Sequence, residues 1–385
     1  MLALAAVSAA MIALVPMATP AAAADPPGTL RGWGLNSSGQ VGDGTFISRL
    51  TPTRVVGLSD IREVRAGGMH NVALAGDGTA RAWGSNSAGQ IGDGTLTDRP
   101  TAVRVPNLAN VTAVRAGGVH SLAVTADGAV WAWGLNASGQ LGDGTTTNRT
   151  RPVRVQGLPG PASNQVSAGD SHNLVVLRDG SLWAWGNNNN GQLGDGTTTN
   201  RTRPVRVAFP GGLRAVEAGR HHTIASHTDG TVYAWGDNSQ GQLGDGTTTD
   251  RRTPSQVPGL TSVIQISAGN FHNLVRRGTS PRTAFAWGQN SKGQLGDGTT
   301  VTRTRPVRVL GLTDPNSVRA GGFHSLGQEV DGSTPVRAWG DNSSGQLGDG
   351  STTNRLVPVV VPGITNSLVD LAPGNQHSIA LAVLT

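Results

Sequence analysis

Trp133-Gly134-Leu135-Asn136-Ala137-Ser138-Gly139-Gln140-Leu141-Gly142-Asp143-Gly144-Thr145 is one copy of a phrase that recurs along this chain of 385 residues. Its form is W-G-x-N-x-x-G-Q-[VIL]-G-D-G-[TS], beginning at Trp33, Trp83, Trp133, Trp185, Trp235, Trp287 and Trp339. The intervals are 50, 50, 52, 50, 52 and 52 residues. A second phrase, A-G-x-x-H, falls between the copies of the first. Its histidines are His70, His120, His172, His222, His272 and His324, and a variant, Ala372-Pro373-Gly374-Asn375-Gln376-His377, supplies a seventh. A fixed period of this size marks a repeat architecture.

Each period holds four short extended segments, in the first complete unit 53–56, 61–65, 71–75 and 79–83. Asp77-Gly78 joins the last two, and an Asp-Gly pair between alternating runs signals a type I′ hairpin. The pair recurs at Asp127-Gly128, Asp179-Gly180, Asp229-Gly230 and Asp331-Gly332, while the sixth unit reads Arg276-Arg277-Gly278. Four strands per period of about 50 residues predict an all-β, seven-bladed β-propeller of four-stranded antiparallel blades. A lone strand at 29–33 opens the pattern and three strands ending at 377–384 close it. The N-terminal strand is expected to complete the last blade and close the ring.

Composition agrees. Glycine, at 56 residues, is about twice its usual share, which disfavours helices. No cysteine is present, so disulfides and thiolate metal sites are excluded. Thirty Lys plus Arg against 24 Asp plus Glu give a net charge of +6, with Lys292 the one lysine. No block of like charge points to nucleic acid. Residues 2–24 are uncharged and apolar and end in Ala21 to Ala24, as in a signal peptide with a small-residue cleavage site. The expected organisation is a signal peptide at 1–24, a linker at 25–28 and one propeller domain at 29–385. The mature protein is expected outside the cell or in its envelope, as a monomer with no membrane span.

These phrases resemble the repeat of the regulator-of-chromosome-condensation family, whose members are seven-bladed propellers. Trp133-Gly134, Asn136, Gly139-Gln140, Leu141-Gly142 and His120 carry the likeness, which extends from Leu30 to Leu384. The resemblance implies the fold and leaves the role open, because members do unrelated things. Some exchange nucleotide on a small nuclear GTPase, some sense ultraviolet light in plants, and some secreted bacterial relatives inhibit β-lactamases. The light-sensing members use Trp and Arg in a Gly-Trp-Arg-His-Thr loop. The nearest segment here, Gly219-Arg220-His221-His222-Thr223, lacks the Trp. No insertion is long enough for an exchange wedge. The lactamase inhibitors lack the long G-D-G-T loop found here.

A residue present in every unit is expected to hold the blades together. The seven tryptophans suit gaps between blades, and the Asn after W-G-x suits a turn or left-handed position. Arginine always stands six residues after the G-D-G aspartate, from Arg49 to Arg355. A pair such as Asp143–Arg149 would pin the loop, and a ring of arginines for an anionic partner is the sharper alternative. Seven histidines spaced around a ring lie too far apart for the tetrahedral shell of zinc, and the loops lack the calcium pattern. Neither metal nor cofactor is expected. Partner binding should sit where the repeats differ, on loops carried by the ring. The residue just before each recurring His varies most and the one before that varies too, and Met69, Arg220, His221, Phe271 and Phe323 are the candidate contacts.

The expected function is a non-enzymatic, exported protein-interaction scaffold using one propeller face. No Ser/His/Asp set, paired carboxylates or phosphate loop suggests catalysis. The alternatives are binding of polyanions or nucleic acid through clusters such as Arg149-Arg151-Arg154, Arg201-Arg203-Arg206 and Arg303-Arg305-Arg308, or the exchange-factor or lactamase-inhibitor roles that the resemblance implies.

Overall fold

The computed structural model describes residues 28–329, 336–364 and 369–382. The expected signal peptide at 1–24, most of the linker and the Asp331-Gly332 turn lie outside the described residues. Among the described residues there are seven four-stranded antiparallel sheets and no helix. One blade shows the pattern: β3 (Ile61–Ala66), β4 (His70–Ala75), β5 (Ala80–Gly84) and β6 (Arg99–Arg104), side by side in that order. Innermost strands of adjacent blades contact one another all around the ring.

Each strand's sequence reflects its radial position. β4 is buried along its whole length, because neighbouring blades cover both faces of its sheet. Such strands read as continuous apolar runs rather than alternating ones. β6 is the outer edge of its blade and keeps polar and half-exposed residues. The apolar packing therefore lies between blades. In one gap Val72, Leu74, Ile91 and Val105 of one blade meet Val111, Val114 and Trp133 of the next. All seven repeat tryptophans are fully buried in such gaps.

The ring closes as the chain ends predicted, but with two strands from each end. β1 (Leu30–Gly34) pairs with β28 (His377–Ala382), β2 (Arg49–Arg54) flanks β1, and β27 (Val369–Pro373) flanks β28. The segment expected at 53–56 is in fact the outer strand Arg49–Arg54, which belongs to the blade before it. The loop after W-G turns back on itself, so its return strand pairs with the strand carrying the Trp. An ion-pair chain spans this seam. Arg65 meets Asp370 at 2.7 Å and Glu63 at 2.9 Å, Glu63 meets Arg115 at 2.6 Å, and Arg319 approaches Asp370 at 3.5 Å.

Among the described residues the Asp-Gly hairpins are not type I′. Gly78 has φ of 77°, but Asp77 is not left-handed. The Gly78 N–H donates to Ala75 and the Ala75 N–H to Thr79, a three-residue loop with glycine in the left-handed position. The reason is local. The Asp77 carboxylate accepts both the N–H and the hydroxyl of Thr79, which holds Asp77 in an ordinary conformation. Asp127, Asp179 and Asp229 accept the same backbone bond.

Candidate functional site

Strand order puts the A-G-x-x-H turns and the W-G…G-D-G loops on one face, and the Asp-Gly hairpins on the other. The first face is built on two devices. One pins the long loops. Asn136, fully buried, donates from Nδ2 to the carbonyls of Thr145 and Thr147, each at 3.1 Å, and accepts the Leu141 N–H at 2.8 Å. Asp143 accepts from Thr145 and, at 3.0 and 2.8 Å, from Arg149. Burial raises the Asp143 pKa, but hydrogen bonds from Thr145 and Arg149 outweigh it and hold the carboxyl below its usual range. All seven loops repeat the Asp–Arg pair. These arginines thus already have counter-charges and are not a free anion-binding ring. Of the turn or left-handed position expected for the asparagine, the structure shows the turn: the Asn136 carbonyl accepts the Gly139 N–H, and its φ is not positive. It serves as the hub of the loop, which no local propensity reveals.

The second device joins the blades. Each recurring histidine reaches the next blade from Nε2: His70 to Ser121, His120 to Asn173, His172 to Thr223 and His222 to Asn273. His272 to Ser325, His324 to Ser378 and His377 to Asn71 complete the circle, all seven bonds between 2.7 and 3.1 Å. Each acceptor in turn donates to a glutamine carbonyl of the preceding blade, as Ser121 does to Gln90. The Trp133 indole N–H donates to that same carbonyl. The hydroxyl hydrogen or amide hydrogens are thereby engaged, so the histidine must donate, and it does so as the neutral Nε2–H tautomer. Its Nδ1 has no partner in any of the seven. Burial pushes His70, His272, His324 and His377 down to about 3 and His222 to about 4. Gly67 is required beside this ring, because a Cβ there would strike the His70 imidazole and the Gly117 carbonyl.

The residues two before these histidines line the mouth of the central channel: Asp170, Arg220, Asn270 and Asn375, with Gly68, Gly118 and Gly322 on the other three blades. Three of the five candidate contacts come together. The Arg220 guanidinium lies 5.4 Å from the centre of the Phe271 ring, and Phe271 lies 6.1 Å from Phe323. This half-buried ladder crosses three consecutive blades. The backbone fixes its turns: the carbonyls of His221, Phe271 and Phe323 accept the N–H of Asp237, Gln289 and Asp341. His221 is beside it, half-buried, its pKa lowered by burial against the pull of Asp170. Met69 stands apart, because the blade bearing Gln376 separates it from Phe323. Asp170, Asn270 and Asn375 were legible only as variable positions. No group of three or more His, Asp or Glu is placed to hold a metal among the described residues. No helix there is long and apolar enough to cross a membrane.

The regulator of chromosome condensation (RCC1) repeat matches at 27–74, 77–124, 127–176, 179–226, 229–276, 283–327 and 336–381. Each match spans the outer half of one blade and the inner half of the next, the same stagger that closes the ring. The ultraviolet-B receptor UVR8 of Arabidopsis thaliana is 44% identical over 55 residues, 14% of this chain and 12% of the receptor, so this match spans about an eighth of the receptor. Human WBSCR16 superposes with a TM-score of 0.82 at 24% identity, covering 93% of this chain and 99% of that one. Prp20p of Saccharomyces cerevisiae, studied for its binding to Gsp1p and histones, superposes at 0.80 with 21% identity over 93% and 92%. These structures share the fold. With seven repeats matched along almost the whole described propeller, the chain belongs to the regulator of chromosome condensation (RCC1) repeat family.

Proposed function

We propose that this protein is a non-enzymatic, exported scaffold that binds a protein partner at the channel mouth of the loop-bearing face. The observation that carries the reading is the Arg220–Phe271–Phe323 ladder. Aromatic side chains and arginine dominate interface hot spots, and a stacked, pre-positioned set loses little entropy on binding. Seven pinned loops and seven inter-blade histidine bonds keep the rim rigid, as a binding platform requires. Prp20p, a propeller of the same fold, binds Gsp1p and histones, which favours this class of function over catalysis. Export is supported by the apolar segment at 2–24.

The test is affinity capture from the extracellular and envelope fractions with chain beginning at Asp25. Wild-type protein should retain a partner that Phe271→Ala/Phe323→Ala loses at least tenfold. A variant on the opposite face, Asp127→Asn, should retain it. Capture of nothing, or equal capture by the ladder variant, refutes the reading.

A further inference from the structure

On the face opposite the ladder the sixth unit departs from the others. Arg276-Arg277-Gly278 stands where the other units have an Asp-Gly turn, and it joins β20 (His272–Arg277) to β21 (Thr283–Gly288). Arg277 donates to the Thr261 carbonyl at 2.9 Å and lies 5.8 Å from the centre of the Phe285 ring. Arg276 reaches the innermost strand of its blade, β19 (Val263–Ala268), where its Nε donates to Gln265 Oε1 at 3.3 Å. The same oxygen accepts the Val318 N–H of the next blade at 3.2 Å, which sets Arg276 beside Arg319. Arg282 is fixed at this place too, because its N–H donates to Asp314 at 3.0 Å, just before β23 (Pro315–Ala320).

The preceding blade supplies a fourth arginine. Four residues before the A-G alanine, Thr112 and Asn164 of adjacent blades meet at 2.9 Å, so this position runs round the channel mouth. Arg214, Ile264 and Asn316 follow in the same ring, and Gly278 of the sixth unit lies against Ile264. Further in, Arg319 and Glu217 line a cavity of about 140 Å³ in the channel.

These charges lack counter-charges, unlike the arginines of the long loops. Among the described residues the guanidinium groups of Arg214 and Arg282 have neither hydrogen bond nor ion pair. Arg276 has the neutral Gln265, and Arg319 has Asp370 at 3.5 Å, a carboxylate that Arg65 already holds at 2.7 Å. Burial, and then the like charges of Arg282, Arg319 and Arg214, lower the Arg276 pKa against the pull of Asp314. Four arginines against Glu217 and Asp314 leave an excess of two positive charges. Partly buried like charges repel unless a counter-charge joins them, and such clusters mark functional sites. We propose that Arg214, Arg276, Arg282 and Arg319 bind a doubly charged tetrahedral oxyanion, either free phosphate or sulfate or a phosphate group carried on another molecule. Guanidinium forks match the oxygens of such a group in pairs. The site lies opposite the ladder and is independent of partner binding there.

Titration calorimetry of the full chain in dilute chloride buffer tests it, with inorganic phosphate, sulfate and phosphoserine as separate ligands. Wild type should bind at least one of them with a Kd below about 1 mM. Tighter binding of the free ions assigns the site to them, and tighter binding of phosphoserine assigns it to a carried group. Arg276→Gln/Arg282→Gln should bind at least tenfold more weakly. Arg282→Gln alone, which removes a guanidinium with no bond to lose, should show much of that loss. Without oxyanion both variants should keep or exceed the wild-type Tm, because repulsion is relieved. Arg151→Gln/Arg154→Gln on an outer strand should bind like wild type. A wild-type chain that binds none of the three ligands, or Arg276 and Arg282 variants that bind like wild type, overturns the proposal.

Discussion

Lowering the pH from 7.5 to 5.5 should loosen the ring by protonating histidines that only the unfolded chain can charge. In the folded protein His70, His272, His324 and His377 are held near 3, His222 near 4 and His172 well below its ordinary value, all by burial. The unfolded histidine titrates near 6.5, so between the two values the unfolded state binds more protons and stability falls as pH falls. At pH 5.5 the loss is slightly more than ~1 kcal/mol per histidine relative to pH 7.5, whatever the folded value, provided it lies well below 5. The six together reach on the order of 8 kcal/mol, comparable with the whole stability of a typical domain. His120 adds less, because Asn173 and Asp170 partly offset its burial. For a chain of this length the corresponding fall in Tm is about 10 °C. The loop aspartates do not confound the window, since their carboxyls are already held below the usual carboxylate range. The assay is thermal unfolding by circular dichroism at constant ionic strength, with His272→Gln as a companion. Its amide can donate the same bond to Ser325, so the variant should lose about one proton from the slope. A fall in Tm under about 3 °C would refute the picture of neutral histidines donating between blades.

Two further outcomes follow from the loop hub and the seam. Asn136→Ala leaves the Leu141 N–H and two threonine carbonyls without their partner and should cost about 2–4 kcal/mol in urea unfolding, with faster hydrogen exchange at 141–147. Asp370→Asn keeps the shape at the ring closure but leaves Arg65 with Glu63 alone and removes the counter-charge facing Arg319, and should lower stability by about 2 kcal/mol above pH 5. The folded Asp370 pKa is lowered, so that contribution is present above the ordinary value near 4 and vanishes as the pH drops through the folded one.

Much of this architecture is legible in the chain because a repeat repeats its physics. Every blade needs one indole to fill the gap to its neighbour, so Trp33 to Trp339 recur at the blade period. The position of Asp143 six residues before Arg149 likewise encodes a local contact. Contacts between repeats are less visible. Nothing near His120 in sequence indicates that its partner is Asn173, a blade away, or that Asn136, besides opening a turn, gathers the whole loop. The stagger of two strands from each terminus was hidden for a similar reason, since a periodic pattern has no marked starting point.

The candidate contacts divide in the same way. Sequence variation at the two positions before each histidine selected Arg220, His221, Phe271, Phe323 and Met69 together. The ring then stacked Arg220, Phe271 and Phe323 and left Met69 apart, because adjacency depends on blade order and side-chain direction. By itself the sequence determines seven blades, their turns and the residues that recur, since each follows from spacing and local chemistry. Closure by two strands at each end, the neutral state of the buried histidines, the rim ladder and the arginine cluster at the opposite mouth are decided only in three dimensions. Each depends on which blade stands beside which, and that neighbour lies about 50 residues or nearly the whole chain away.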